Sequence, residues 1–294
     1  MGSYGTGVYL LSRADGPVLL QAAGTGNRGP VAAESGGVYN ADIMAKSARV
    51  PAAVHTVVAE VHEFCVANAN PAIVLKYAKF FREGYDAFGL DHKDPAWVEN
   101  RKRWVDRLRA AGPRAWLDVG DILTRTGKYE EASFAIEFAM DLEEFHDAAA
   151  FRRIGNWFAG GIRNWGHTDA LCLSVLSHFL TDGIVQLEAL TPWRESEHKF
   201  QRRAVPVMMI PLLNTYAGYA PLFSVVEPLM ADGAREVHQG TGWFLREAWR
   251  RQPAPAEELL ARHKDTAPRL IYQYATEKMT PQQKERFRRA KPGR

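Results

Sequence analysis

With only two cysteines in 294 residues, Cys65 and Cys172, the chain has little from which to build a disulfide framework. Each lies in an apolar run, outside any Cys-x-x-Cys pair or Cys/His cluster. Two buried thiols of a reducing compartment are therefore expected, and no zinc site can be assembled from them. No apolar stretch reaches the roughly 18 residues that would span a bilayer. The start lacks a basic segment followed by a long apolar one, so no secretory leader is expected. Met1 to Thr6 fits the loose N-myristoylation pattern, which a pattern this short matches by chance. An excess of one charge is also missing: 37 Lys and Arg against 34 Asp and Glu give a net charge of +3, compatible with a polyanionic partner without demanding one. These absences point to a cytoplasmic protein, nucleoid-associated if its partner is DNA, that needs no metal.

Residues 1–50 are rich in Gly, Ala and Ser and poor in long charged side chains. They carry Gly24-Thr25-Gly26-Asn27-Arg28-Gly29, formally G-x-G-x-x-G, after an apolar stretch from Val18 to Ala23 that could be a strand. The motif means a dinucleotide site only within a strand–turn–helix unit followed by further parallel strands. Pro30 and the Glu34-Ser35-Gly36-Gly37 run break any helix here, and no strand–helix alternation follows. The motif is read as accidental, and the segment as a loosely attached extension.

From Pro51 onward apolar residues recur at three and four positions. Val54, Val57, Val58, Val61, Phe64 and Cys65 form one stripe, continued after Asn70-Pro71 by Val74, Tyr77, Ala78 and Phe81. Trp97, Trp104, Val105 and Leu108 mark a helix ended by Gly112-Pro113. Trp116, Val119, Ile122 and Leu123 mark another that ends near Gly127. Phe134 to Leu142 lies on the next, and further helical patterns run over 167–183, 200–215, 221–231, 235–250, 255–263, 266–278 and 281–290. Helices of 12 to 18 residues with short connections and no hairpin signal predict an all-α domain over 51–290, a right-handed α-solenoid of stacked helix pairs.

Three stretches stand apart from this framework. In Arg163-Asn164-Trp165-Gly166-His167-Thr168-Asp169, the ring of Trp165 and the carboxylate of Asp169 are four apart, which puts them on one helical face. Phe200-Gln201-Arg202-Arg203-Ala204-Val205 opens an apolar helix. Gly242-Trp243-Phe244-Leu245-Arg246-Glu247 sits inside one. Taken singly, a tryptophan is most often core, an aspartate near a helix start a cap, and an arginine pair a surface ion pair.

Together, these stretches resemble the AlkD-type alkylpurine DNA glycosylases, the DNA alkylation repair family with HEAT-like repeats. The similarity runs from about residue 71 to 288. It is supported by Ala78-Lys79-Phe80-Phe81 leading to Phe88-Gly89-Leu90, and by Tyr129-Glu130-Glu131-Ala132. The resemblance implies a concave DNA-binding cleft in a monomer acting on double-stranded DNA without a cofactor. It makes Trp165 and Trp243 the cleft tryptophans, Asp169 the catalytic carboxylate and Arg202 an arginine holding the DNA backbone. Arg203, Arg246 and Phe80 are taken as further DNA contacts, with Phe80 falling where the family often has a tyrosine.

The residue types suit the chemistry. An N3- or N7-alkylated purine is cationic and leaves neutral, while positive charge builds on the sugar. Indole faces attract cations by about 0.5–2 kcal/mol, and a fixed carboxylate stabilises an oxocarbenium-like sugar or orients water. Arginines neutralise phosphates and fix register. Base excision of cationic lesions is thus the expected function, with a catalytically silent DNA- or protein-binding scaffold as the alternative. Two placements complete the reading. The acidic stretch Glu130 to Asp147 is expected on the convex face, away from DNA. Lys284, Arg286, Arg288, Arg289, Lys291 and Arg294 are expected to form a solvated basic tail, with a non-specific DNA contact as the other option. Asp169, as a cleft carboxylate, is expected to be replaceable without loss of the fold.

Overall fold

The computed structural model describes residues 7–9, 19–21 and 51–289. Gly7–Tyr9 (β1) and Leu19–Gln21 (β2) pair antiparallel. The strand expected ahead of the glycine run therefore has an antiparallel neighbour, the opposite of what a dinucleotide fold requires. The run itself, Gly24 to Gly29, lies outside the described residues, as does most of the extension.

Everything described from Pro51 onward is helical or connecting. The first half contains α1 (Ala52–Ala67), α2 (Pro71–Ala78), α3 (Pro95–Ala111), α4 (Ala115–Leu123) and α5 (Tyr129–Asp141). Their ends follow local chemistry. Asn70 and Asp94 accept hydrogen bonds from the backbone N–H groups of Ala72 and Ala96, each ahead of a proline at the first helical position. Val54, Val57, Val58, Val61 and Cys65 are all buried, as the stripe predicts. Helix α2 fully buries no side chain: its stripe positions Val74, Tyr77 and Ala78 are half-buried, Leu75 off the stripe is exposed, and Phe81 just beyond the helix is buried.

The second half contains α6 (Ala148–Gly155), α7 (Trp157–Gly160), α8 (Trp165–Leu171), α9 (Ser177–Thr181), α10 (Thr191–Arg194), α11 (Lys199–Met208), α12 (Ala220–Val226), α13 (Arg235–Arg251), α14 (Pro253–His263), α15 (Arg269–Ala275) and α16 (Pro281–Glu285). A π-helical segment, Cys172–Leu176, joins α8 to α9. Many of these helices are shorter than the 12 to 18 residues expected. Helices α6 and α7 were not anticipated at all, although Asp147 caps α6 by accepting from Ala150 N–H at 2.7 Å. Helix α8 packs on α5 and α11, α11 on α13, and α13 on α15. This succession places the three singled-out stretches side by side.

The acidic stretch is divided: Glu143 and Glu144 are exposed, as an outer face requires, but its first part is turned inward. Glu130, Glu131 and Glu137 are buried. Glu130 accepts from the N–H groups of Phe88, Gly89 and Leu90 at 2.8, 2.7 and 3.1 Å, so its carboxylate ties down the connection between α2 and α3. Glu137 accepts from Trp97 Nε1 at 2.9 Å and faces Arg101 at 3.4 Å; burial pushes its carboxyl up to about 7. Inward carboxylates of this kind persist because each has donors waiting for it.

Gly242 sets how closely α13 meets α15. A Cβ at this position would lie 2.6 Å from Tyr274 Cβ and 2.7 Å from the Ile271 carbonyl oxygen. We expect Gly242→Ala to push the two helices apart and to lower stability in chemical denaturation by about 1–3 kcal/mol. Wild-type stability in that variant would rule out so close an approach.

Candidate active site

Helix α8 begins at Asn164. Its side-chain oxygen accepts from the backbone N–H of His167 at 2.8 Å, a standard helix cap. This bond fixes the orientation of the amide, so Asn164 Nδ2 donates to His167 Nδ1 at 2.9 Å. His167 Nε2 then carries the proton and donates to Ser133 Oγ at 3.1 Å, and Ser133 donates to the Tyr129 carbonyl at 2.9 Å. The imidazole is buried and stacks on Tyr129, with ring centroids 4.1 Å apart. Burial drives its pKa down to about 3, leaving a neutral ring that fastens the start of α8 to α5.

Trp165, the first residue of α8, is half-buried. Its Nε1 donates to the Phe80 carbonyl at 3.1 Å, and its ring stacks on Phe81 at 5.8 Å and 15°. Phe81 in turn stacks on Tyr85 at 4.7 Å and meets the edge of Tyr129. The Phe80 ring lies away from this stack, beside Tyr77 and under the Lys79 ammonium. Tyr77, one turn earlier, lies close enough to Tyr85 and Tyr129 to help raise both pKa values, after burial and the Glu130 carboxylate as the larger causes.

Asp169 lies one turn beyond Trp165 and is 1% exposed. Both of its oxygens accept from Arg203 on α11, Oδ1 from Nε at 2.9 Å and Oδ2 from Nη2 at 2.7 Å. Arg203, 6% exposed, also donates through Nη1 to the Glu236 carbonyl on α13 at 2.8 Å. Burial raises the Asp169 carboxyl, and Arg203 opposes the rise. The expectation that Asp169 is replaceable without loss of the fold is corrected here: removing one member of a buried pair strands the other charge, at about 3–5 kcal/mol.

Arg203, and not Arg202, is therefore the guanidinium that reaches Asp169. Arg202 points about 100° away around the helix, to Asp232 at 2.6 Å and to the Ser196 and Glu197 carbonyls. Arg246 is engaged by Glu247 at 3.1 Å and Glu277 at 2.5 Å. Trp243 is half-buried on α13. It shares a helical face with Gly240 and Glu236, three and seven residues back. Glu236 accepts from Arg203, and a Cβ at Gly240 would lie 3.1 Å from Arg203 Cγ. Trp165, Asp169, Arg203 and Trp243 thus lie along adjoining faces of α8, α11 and α13.

Sequence reasoning missed the Asn164–His167–Ser133 chain and the carboxylates of Glu83 and Glu236. It also missed the exposed cations Arg82 and Arg163, which flank Phe81 and Trp165 along the chain. The basic tail is mostly engaged where it is described: Arg286 pairs with Glu257, Arg288 with Glu285, and Arg289 donates to the Ala267 carbonyl. Lys291 and Arg294 lie outside the described residues.

Among the described residues no group of His, Cys, Asp and Glu side chains is placed to hold a metal ion, and no helix is long and apolar enough to cross a membrane. The sequence profile of the DNA alkylation repair enzyme family matches residues 65–279, a span that takes in every site residue described above. The chain belongs to that family. Membership assigns it to alkylation repair with DNA as its partner. No curated protein matches the chain in sequence.

The neutral His167 generates a pH prediction. Its pKa is about 3 when folded and near 6.5 when unfolded, so between those values the unfolded chain binds the extra proton. Its contribution is fully present above about pH 6.5 and is lost toward pH 3, at up to about 1.4 kcal/mol per pH unit. The stability gap between wild type and His167→Gln should therefore shrink on acidification. A constant gap across that range would mean that the ring is charged in the folded state.

Proposed function

We propose that this protein is a DNA glycosylase that releases cationic N3- and N7-alkylpurines from double-stranded DNA by hydrolysing the N-glycosidic bond. The observation that carries this reading is the buried Asp169–Arg203 pair aligned with Trp165 and Trp243. Arg203 opposes the rise that burial gives the Asp169 carboxyl and fixes both of its oxygens. A carboxylate offers about four lone-pair directions, of which Arg203 uses two. The others remain to face an oxocarbenium-like sugar or to orient the attacking water. The half-buried indoles of Trp165 and Trp243 favour a cationic alkylated base, and the positive charge that passes from it to the sugar, over a neutral lesion.

In this reading Arg203 is a positioning residue, and Arg202 and Arg246 contact the DNA backbone after giving up Asp232, Glu247 and Glu277. Phe80 and Tyr77 border the cleft, and a monomeric, HEAT-like α-solenoid supplies its concave wall. One observation favours a second reading, a DNA-binding scaffold without catalysis: both Asp169 oxygens are engaged and the side chain is 1% exposed.

The deciding experiment is incubation with duplexes carrying N7-methylguanine, assayed for free base. We expect release of N7- and N3-alkylpurines and none of uracil, whose uncharged base gains little from an indole face. Asp169→Asn should lower release at least about tenfold, the effect of losing one well-placed charge, with folding followed in parallel because of the buried pair. Efficient uracil release would overturn selection by charge. Duplex binding without release of any lesion would establish the scaffold.

A further inference from the structure

Lys199 opens α11 one turn before Arg203, so the two cations share a face of that helix. Its ammonium lies 2.9 Å from Glu83 Oε1 and 3.3 Å from Glu236 Oε1. Glu83 belongs to the turn after α2 that also carries Phe80 and Phe81, the two residues that hold Trp165. Glu236 belongs to α13, and its carbonyl accepts from Arg203. Two carboxylates thus meet one ammonium at the rim of the buried Asp169–Arg203 pair, 116 residues apart along the chain in the case of Glu83 and Lys199. The pairing is open to solvent: Lys199 and Glu83 are 38% and 24% exposed in their side chains. Since Asp169 and Arg203 cancel, the three rim side chains together carry one net negative charge, set beside the exposed cations Arg82 and Arg163.

We infer that Glu83, Lys199 and Glu236 form an ionic latch that DNA must open, in which Lys199 is a backbone-phosphate contact withheld by Glu83 and Glu236 until a phosphodiester displaces them. This rests on the proposal that the α8–α11–α13 face receives DNA. A solvent-exposed ion pair contributes little on its own, so a phosphate can take the ammonium at small cost. The displaced carboxylates then repel the backbone, which weakens dwell on undamaged duplex and loosens the turn that holds Trp165. The latch therefore opposes non-specific binding more than it supports the fold.

The test is binding of the full-length protein to undamaged duplex across a salt series, which requires no base release. Glu83→Gln is expected to tighten binding roughly three- to tenfold at low salt, an advantage that fades as salt screens the charges. Lys199→Gln is expected to weaken binding and to reduce the salt slope by about one unit. In Lys199→Gln/Glu83→Gln the gain from Glu83→Gln should be smaller than in the wild-type background. Thermal melts of each variant should stay near wild type. Unchanged or weaker binding by Glu83→Gln, or an unchanged slope in Lys199→Gln, overturns the latch alone. A wild-type protein that binds no duplex at any salt overturns both the latch and the DNA face on which it rests. A large fall in melting temperature with Glu83→Gln overturns the latch in favour of a structural tie.

Discussion

The buried ion pair between Asp169 and Arg203 is the constraint around which the site is built. Removing two charges from water is costly, and the pair persists because the geometry is bidentate and a third guanidinium N–H has a partner in the Glu236 carbonyl. That requirement fixes three helices at once. Helix α8 must present Asp169 inward, α11 must turn Arg203 toward it, and α13 must bring a backbone carbonyl within hydrogen-bond reach. The two glycines on α13 serve the same end. Gly240 leaves room for the Arg203 stem, and Gly242 lets α13 settle on α15. The face that carries Trp243 is therefore positioned by the needs of a charge on another helix.

The indole of Trp165 is held in a complementary way. Its N–H is committed to a backbone carbonyl 85 residues away, and one face of its ring is covered by Phe81. Behind it, the neutral His167 chain locks the first turn of α8 against α5. A ring fixed at one face and one edge presents its other surfaces without loss of rotamer freedom when a ligand arrives, which is the condition under which an electrostatic or cation–π contact keeps its full value.

What the sequence disclosed follows from which interactions are local. The i, i+4 relation of Trp165 and Asp169 depends only on helical period, and the end of α3 could be placed at Gly112-Pro113 because helix stops are written in neighbouring residues. The choice between Arg202 and Arg203 was not legible, since adjacent residues on a helix diverge by about 100° and only the position of α8 decides which is buried. The acidic residues of α5 misled for the same reason. A glutamate reads as surface until Trp97 and Arg101, or the N–H groups of Phe88 to Leu90, are brought to it by packing. Helix α6 had a local signal in the Asp147 cap and the apolar positions Ala150, Phe151 and Ile154, but its short length and the preceding acidic run concealed it.

Net charge conceals the arrangement most relevant to a polyanionic partner. The +3 total suggests a mildly basic surface, yet around the candidate site four cations face six carboxylates: Arg202 with Asp232, Arg203 with Asp169, Arg246 with Glu247 and Glu277, and Lys199 with Glu83 and Glu236. These pairs differ in kind. The Asp169–Arg203 pair is desolvated, so its strength hardly depends on salt and its geometry does not relax. The others are open to water to varying degrees, and a phosphate oxygen offers the cation much the same interaction as the carboxylate it replaces. An array of exchangeable pairs around one that does not exchange separates two tasks within a single surface. On the DNA-binding face proposed above, the outer cations would pass from carboxylate to phosphate, while Asp169 would keep its bidentate contact with Arg203.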